Sequence, residues 1–492
     1  MYFFSVVIPT FNRKDTLLKN LEALSAQSFS ASDFEVLVCD DGSTDDTARA
    51  VKSLRAPFAL RYLRRDNGGP AAARNMGIRE AAGRYLLILN DDAIAAPDLL
   101  ERHRAAHEAR QGEAVAVLGS FTFPKEHTNT PFGRLLQDTG LLFEFYRLEA
   151  GRLYDFRVFY TCNLSVPRQA VVDAGMFNEI FRGPSSEDID LGYRLFQRGF
   201  KVLYEPSCRS VHLHEIDPRV FCAVRQMRGR EVILKFALHP ELSWYRGVSG
   251  RTIETWRAAD AALSGAVEEI VENIFFLNER AWAGLTPEQV RCAALKMLPA
   301  VRFIGKFYAR RGAISSPYLD KFIEAVKLGR PPVAARQEVR TEEVRHEEVN
   351  RESGQARALP DDFQSAFEKL DSLHREAAKR EFEIVNGVLP KDILTRGVYI
   401  WGAGNGGVMT LDVLKNLGIP VEGFIDRDER KVMGTLAGLT VKSPDFLRVE
   451  GGAEKGKPFV FIGSMYADEI GEALEGMGYA EGRDYCPGAV IY

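Results

Sequence analysis

Cysteine is scarce in this chain. Six residues in 492 (Cys39, Cys162, Cys208, Cys222, Cys292 and Cys486) form no C-x-x-C pair. That scatter argues against a structural zinc site and against a disulfide framework, so a reducing cytosol is the expected compartment. Long apolar runs are missing too. No uninterrupted stretch reaches ~18 residues, the length a helix needs to cross a bilayer, so no membrane span is expected. The opening MYFFSVVIPTFNR is apolar but short, lacks a basic leader and reads as a buried strand rather than a signal peptide. An excess of one charge is also absent. Against 64 Lys and Arg stand 68 Asp and Glu, and a net charge of −4 gives no global case for nucleic acid as a partner. No internal repeat is found.

What the chain has is length and alternation. At 492 residues it exceeds one hydrophobic core, so two or three domains are expected. With 46% apolar and 27% charged residues it reads as a soluble globular protein. Strand-like runs (FSVVIPT, FEVLVCD, ALRYL, RYLLILN, AVAVLG) alternate with helical patterns (RKDTLLKNLEALSAQ, TDDTARAVKSL, AAARNMGIREAA, PDLLERHRAAHEA). Apolar strands without polar alternation, separated by helices, imply an α/β fold whose mostly parallel sheet is covered on both faces. From 121 to 240 the loops lengthen, then an acidic helix and a final strand, KVLYEP, close a first domain of residues 1–240. Residues 241–330 read as a helical extension. Residues 331–393 combine a charged segment, a linker or an exposed helix, with a further helix; residues 394–492 open a second, small α/β domain.

Ligands of such sheets bind beyond the carboxyl ends of the strands, so the polar residues just after each run are the ones to inspect. After the second run come Asp40 and Asp41; after the fourth, Asn90, Asp91 and Asp92. Any one of these acids could be a helix cap. Two acidic clusters at one sheet edge, however, need a cation, and Mg²⁺ or Mn²⁺ shared with a diphosphate meets that need. Between them Asn67-Gly68-Gly69-Pro70 opens a helix carrying Arg74, a plausible anion site of free N–H groups and a guanidinium. Further on, GPSSEDIDLGYRLFQRGF packs Glu187, Asp188 and Asp190 into one helical turn. The bland account is capping by Ser185 or Ser186 with acids placed to suit the helix dipole.

Five stretches, VVIPTFNR, VCDDGSTDDT, NGGPAAARNMG, LILNDDA and SSEDIDLGYRL, resemble in order and spacing those of glycosyltransferase family 2, over about residues 3–215. The resemblance implies a GT-A fold and a nucleotide-diphospho-sugar donor, by default a UDP- or dTDP-sugar. Pro9, Thr10, Phe11 and Asp41 would contact the nucleoside, with Asn67 and Arg74 near the diphosphate. Asn90-Asp91-Asp92 looks like the family's D-x-D motif. Asn90 replaces its first acid, so Asp92 carries over as the metal ligand, with Asp91 beside it on the donor side. His212, in SVHLHE, matches a further ligand of some members, against the plain reading of His212 and His214 as a polar pair on an edge strand. Asp188 matches the catalytic base of an inverting transfer to a hydroxyl acceptor. Glu187 would contact the acceptor, and Asp190 would cap the helix or pair with Arg194. The stretch Arg225–Arg230 lacks the Q-x-x-R-W motif of processive members.

In the second α/β domain, Gly402, Gly404 and Gly407 have G-x-G-x-x-G spacing after a strand, and Asp426 ends the next strand-like run. That context suits a nucleotide on a helix N-terminus with the acid on a ribose hydroxyl. The domain resembles small Rossmann-like modules attached to sugar-modifying enzymes of bacterial surface polysaccharide pathways. Nucleotide or nucleotide-sugar binding, a degenerate scaffold and an NAD-dependent sugar oxidoreductase all stay open for it. For the whole chain the leading expectation is a cytoplasmic glycosyltransferase acting on a saccharide, lipid-linked or protein hydroxyl. The alternative from another class is a nucleotide-binding regulatory or scaffold protein with an inactive transferase domain. Leu295–Arg311, apolar with several basic residues, could lie on the inner face of a membrane or pack on its own domain. Oligomerisation through the helix after the charged segment is left open.

Overall fold

The computed structural model describes residues 2–487, apart from 140, 144, 184, 214–215, 243–249, 281, 283–284, 329–358, 360, 387–392, 394–395, 404, 417, 430, 450–456, 464–466 and 481–482. The charged segment 331–358, His214 and Gly404 therefore lie outside the described residues. Two compact units are present: Met1–Val232 with Arg280–Leu298, and Ile233–Glu279 with Pro299–Tyr492.

The first unit is built on nine strands: β1 (Phe4–Thr10), β2 (Phe34–Asp40), β3 (Ala59–Arg64), β4 (Tyr85–Leu89), β5 (Ala93–Ala95), β6 (Val115–Thr122), β7 (Leu153–Tyr154), β8 (Asn163–Pro167) and β9 (Lys201–His212). Their order is β3-β2-β1-β4-β8-β6-β9-β5, with β7 paired to β9. Strands β1 to β4, β6 and β9 share one direction, and β8 runs antiparallel between β4 and β6. The expected mostly parallel sheet flanked by helices is what forms. Alternate residues of β1 feed opposite cores. Phe4, Val6 and Ile8 meet Leu17, Leu21 and Leu24 on one face, while Val7 meets Ala71, Ala73 and Leu191 on the other.

Pro9 shows where the sheet opens. β1 pairs with β4 only over Phe4–Val7, but with β2 as far as Thr10. A proline has no N–H to give, and here it falls beyond the β4 ladder, where none is required. The carboxyl ends of β1 and β4 thus part, which is where a doubly wound sheet forms its crevice.

The second unit contains helices Gly250–Glu279 and Asp361–Asn386 and a smaller sheet. Its strands are β10 (Val398–Trp401), β11 (Gly423–Ile425), β12 (Thr435–Leu436), β13 (Leu439–Lys442), β14 (Phe459–Ile462) and β15 (Tyr485–Pro487), in the order β12-β13-β11-β10-β14-β15. All pairs but β12–β13 are parallel. Ala300, Val301, Ile304 and Phe307 of the basic apolar stretch are buried. Arg311 pairs with Asp260 at 2.7 Å, and Arg310 with Glu381. That stretch therefore packs on the protein itself. Among the described residues no helix is long and apolar enough to cross a membrane.

Candidate active site

At the carboxyl ends of β1 and β4 the expected residues meet. Thr10 Oγ1 donates to Asp91 Oδ2 at 2.8 Å. Arg13 reaches both acids, with NH1 3.3 Å from Asp91 Oδ1 and 2.7 Å from Asp92 Oδ2. His212 is brought to Asp92 by strand register: Ala93 pairs with His212 across β5 and β9, and Leu213 N–H donates to Asp92 O at 2.8 Å. Its Nε2 then lies 3.2 Å from Asp92 Oδ1, and its ring stacks on Phe121 at 4.8 Å. Burial, with the charge of Asp92 adding to it, pushes the Asp91 carboxyl up to about 6.

The second cluster surrounds the start of helix Glu187–Phe196. The capping expectation is not met. Ser186 holds the N-cap position without a side-chain cap bond, and the Ser185 and Ser186 hydroxyls accept nothing. Instead Glu187 Oε2 accepts from Ser185 N–H at 2.6 Å, while its Oε1 takes Arg74 NH1 at 2.7 Å. This ion pair is buried, with side-chain exposures of 5% and 2%. Arg74 also points NH2 at Asn90 Oδ1, 3.4 Å away, and so links the two clusters. Glu187 and Arg74, expected at the acceptor and the diphosphate, are thus bound to each other. Asp190 pairs with Arg194 at 2.6 Å.

Asp188 has a different environment. Its Oδ1 accepts the Ile189 N–H at 2.7 Å. Burial first, then the neighbouring Glu187 charge, push it up to about 7, against the pull of Arg74 and Arg228. Adjacent on helix Pro218–Leu238, Glu231 is likewise pushed up to about 7 by burial. Arg228 donates to Leu142 O at 3.3 Å. Buried acids with raised pKa values make this region a candidate functional site.

Asp41 accepts Gly68 N–H at 2.9 Å and Gly69 N–H at 2.7 Å, so its carboxylate clamps the loop before Arg74. Asn67 is exposed on that loop, Phe11 is 45% exposed, and Pro9 is half-buried. Gly69 has φ of +91°, and a Cβ there would meet Arg182 O at 2.5 Å. Only glycine lets this loop approach the segment leading to Asp188. Sequence reasoning missed Arg13 altogether, although it stands in VVIPTFNR just beyond the end of β1.

Residues 5–180 match the model of the family described as Glycosyl transferase family 2. Over those residues the chain is similar to that family. It is 32% identical over 285 residues to the validoxylamine A glucosyltransferase of Streptomyces hygroscopicus subsp. jinggangensis (strain 5008), covering 51% of this chain and 66% of that one. It is 30% identical over 230 residues to the hyaluronan synthase of Pasteurella multocida, covering 40% of this chain and 23% of that one. The chain thus spans just under two thirds of the first relative's length. Among solved structures, S. aureus TarS 1-349 in complex with UDP is similar at a TM-score of 0.38 and 20% identity, covering 66% of this chain and 90% of that one. The mannosyltransferase PcManGT from Pyrobaculum calidifontis, in complex with GDP-Man and Mn²⁺, is similar at 0.38 and 19%, covering 66% and 86%.

The Asp92 corner suits a divalent cation. A carboxylate with an imidazole facing it at 3.2 Å is a donor set that Mn²⁺ takes more readily than Mg²⁺, which favours oxygen alone. Among the described residues no three His, Cys, Asp or Glu side chains form a metal-holding group.

In the second unit, Gly402 and Asp426 meet through Ala403, whose N–H donates to Asp426 Oδ2 at 2.8 Å. Asp428 N–H takes Oδ1 at 2.9 Å, so both oxygens already bind backbone. Gly407 packs against Gly402 O and Gly463, where no side chain fits. A cavity of about 660 Å³ opens beside Asp426, lined also by Arg427, Glu429, Ser443, Asp445 and Met477. Gly402 and Gly407 do not line it.

Proposed function

We propose that the protein is an inverting, metal-dependent glycosyltransferase that moves a sugar from a nucleotide-diphospho-sugar to a hydroxyl acceptor. The observation that carries this reading is the pair of clusters at one crevice: Asp92 with His212 on one side, and Asp188, raised to about 7, on the other. Asp188 takes the proton of the acceptor hydroxyl while that oxygen bonds to the anomeric carbon. The bond from that carbon to the diphosphate breaks, its electron pair leaves with the diphosphate, and the configuration inverts. A base with a pKa near the working pH serves this step well. Glu187, tied to Arg74, keeps its position and raises the proton affinity of Asp188 by its charge. Asp92 and His212 would hold Mn²⁺ or Mg²⁺, which when bound offsets negative charge on the departing diphosphate. Relatives named for hyaluronan and validoxylamine A support a saccharide or small-molecule acceptor, and bacterial surface glycan assembly is the setting we favour.

The test is calorimetric titration of UDP, dTDP and GDP, with and without Mn²⁺, into the intact protein and Asp92→Ala. Metal-dependent binding that the variant loses supports the reading. Binding indifferent to both metal and Asp92 sinks it. For the second unit we propose a nucleotide or nucleotide-sugar ligand, supported by the parallel β13-β11-β10-β14-β15 order and the cavity beside Asp426. Nucleotide binding that survives Asp92→Ala but is lost in Asp426→Ala is its expected signature.

A further inference from the structure

The two adjacent acids already have a cation on them. Arg13 NH1 touches both carboxylates, and its side chain is 41% exposed against 7% and 5% for Asp91 and Asp92. The guanidinium is therefore the solvent-facing member of the cluster. The loop that presents it is firmly held. Asn12 adopts a left-handed φ of 52°, its Oδ1 accepts from Thr44 N–H at 2.7 Å, and its own N–H donates to Ser43 Oγ at 2.9 Å. Arg13 then becomes the N-cap of helix Lys14–Ser25. Its backbone is held by these bonds, and its side chain is half-exposed.

We propose that Arg13 is a resident cation that a divalent metal displaces from Asp91 and Asp92, and that it thereby sets how tightly the domain takes that metal. The inference rests on the reading of Asp92 and His212 as metal ligands. Two neighbouring carboxylates taken out of water need positive charge nearby, and Arg13 supplies it before any donor arrives. His212 faces Oδ1 of Asp92, whereas Arg13 binds Oδ2. A metal chelated by both Asp92 oxygens, Oδ1 on the His212 side and Oδ2 on the Arg13 side, contests Oδ2. A metal binding there must break the shorter of the two guanidinium contacts, and the two cations repel at this range. By linkage, each weakens the other's hold on the pair.

Mn²⁺ alone, followed by the electron paramagnetic resonance of the free ion, tests this on the full chain. Arg13→Gln is expected to bind Mn²⁺ about tenfold more tightly than the unaltered protein, ~1.4 kcal/mol. Arg13→Lys should fall between, because an ammonium keeps the charge but loses the fork. Asp92→Asn should bind far more weakly. Unchanged or weaker Mn²⁺ affinity in Arg13→Gln, alongside lost binding in Asp92→Asn, overturns the role of Arg13 and leaves the metal reading standing. If Asp92→Asn binds Mn²⁺ as well as the unaltered protein, or neither binds it, the metal reading fails and this inference goes with it.

Discussion

Replacing Asp188 with Asn should abolish transfer and stabilise the fold at the same time. In the folded protein burial and the Glu187 charge raise this carboxyl from 3.8 to about 7. At ~1.4 kcal/mol per pH unit that gap sets a ceiling of ~4 kcal/mol. An amide forgoes part of this, since it keeps the bond from Ile189 N–H but remains a polar group in the same place. A gain of ~1–2 kcal/mol at pH 8 is expected, or about 3–6 °C in the transition of a domain this size. The direction follows from linkage. A carboxyl whose folded pKa lies above its unfolded one stabilises the fold while protonated, and that stability is lost as pH rises toward about 7. The variant's advantage should therefore be small at pH 5 and full at pH 8. Thermal unfolding of both proteins in EDTA at the two pH values measures it, and in separate assays with Mn²⁺ the variant's turnover should be ~10²–10⁴-fold lower. A variant no more stable at pH 8, or an advantage that does not shrink at pH 5, would refute the reasoning.

Arg74→Ala leaves Glu187 charged and buried without its partner, and should cost ~3–5 kcal/mol in denaturant unfolding, part of it recovered in the double variant Arg74→Ala/Glu187→Gln. Gly69→Ala forces a Cβ onto Arg182 O at a φ of +91°, so a loss of ~1–3 kcal/mol and weaker nucleotide diphosphate binding are expected by melting and calorimetry. His212→Ala should weaken Mn²⁺ by ~10–100-fold while the melting temperature measured in EDTA changes by less than for Arg74→Ala. The transfer rate of the unaltered protein should drop tenfold per pH unit below about 7, tracking protonation of Asp188 in a pH–rate profile.

Much of the fold was legible in the chain. FSVVIPT and FEVLVCD are β1 and β2 residue for residue, because strands buried on both faces must be continuously apolar. The crossover helices were legible for the complementary reason: one apolar face per helix shows as a period near 3.6. From 121 to 240 the sequence pattern is loose. There β8 runs against its neighbours, and β9 extends through His212, well past the expected KVLYEP. Between β6 and β9 the register slips between Leu118 and Ser120, a change of backbone pairing that leaves no compositional mark.

The sequence by itself determined which chemistries were on offer: Asp91, Asp92 and Asp188 at strand and helix ends, a glycine-rich loop before Arg74, and a second α/β pattern from residue 394 onward. Local spacing encodes these because caps, turns and apolar periods act over a few residues. Only the tertiary structure decided which groups face each other. Arg74 meets Glu187 across 113 positions, Arg13 meets Asp92 across 79, and His212 meets Asp92 through the β5–β9 register. It also decided that the Asp188 carboxyl is pushed up to about 7, since burial and a charged neighbour do that, and neither exists before the chain has folded.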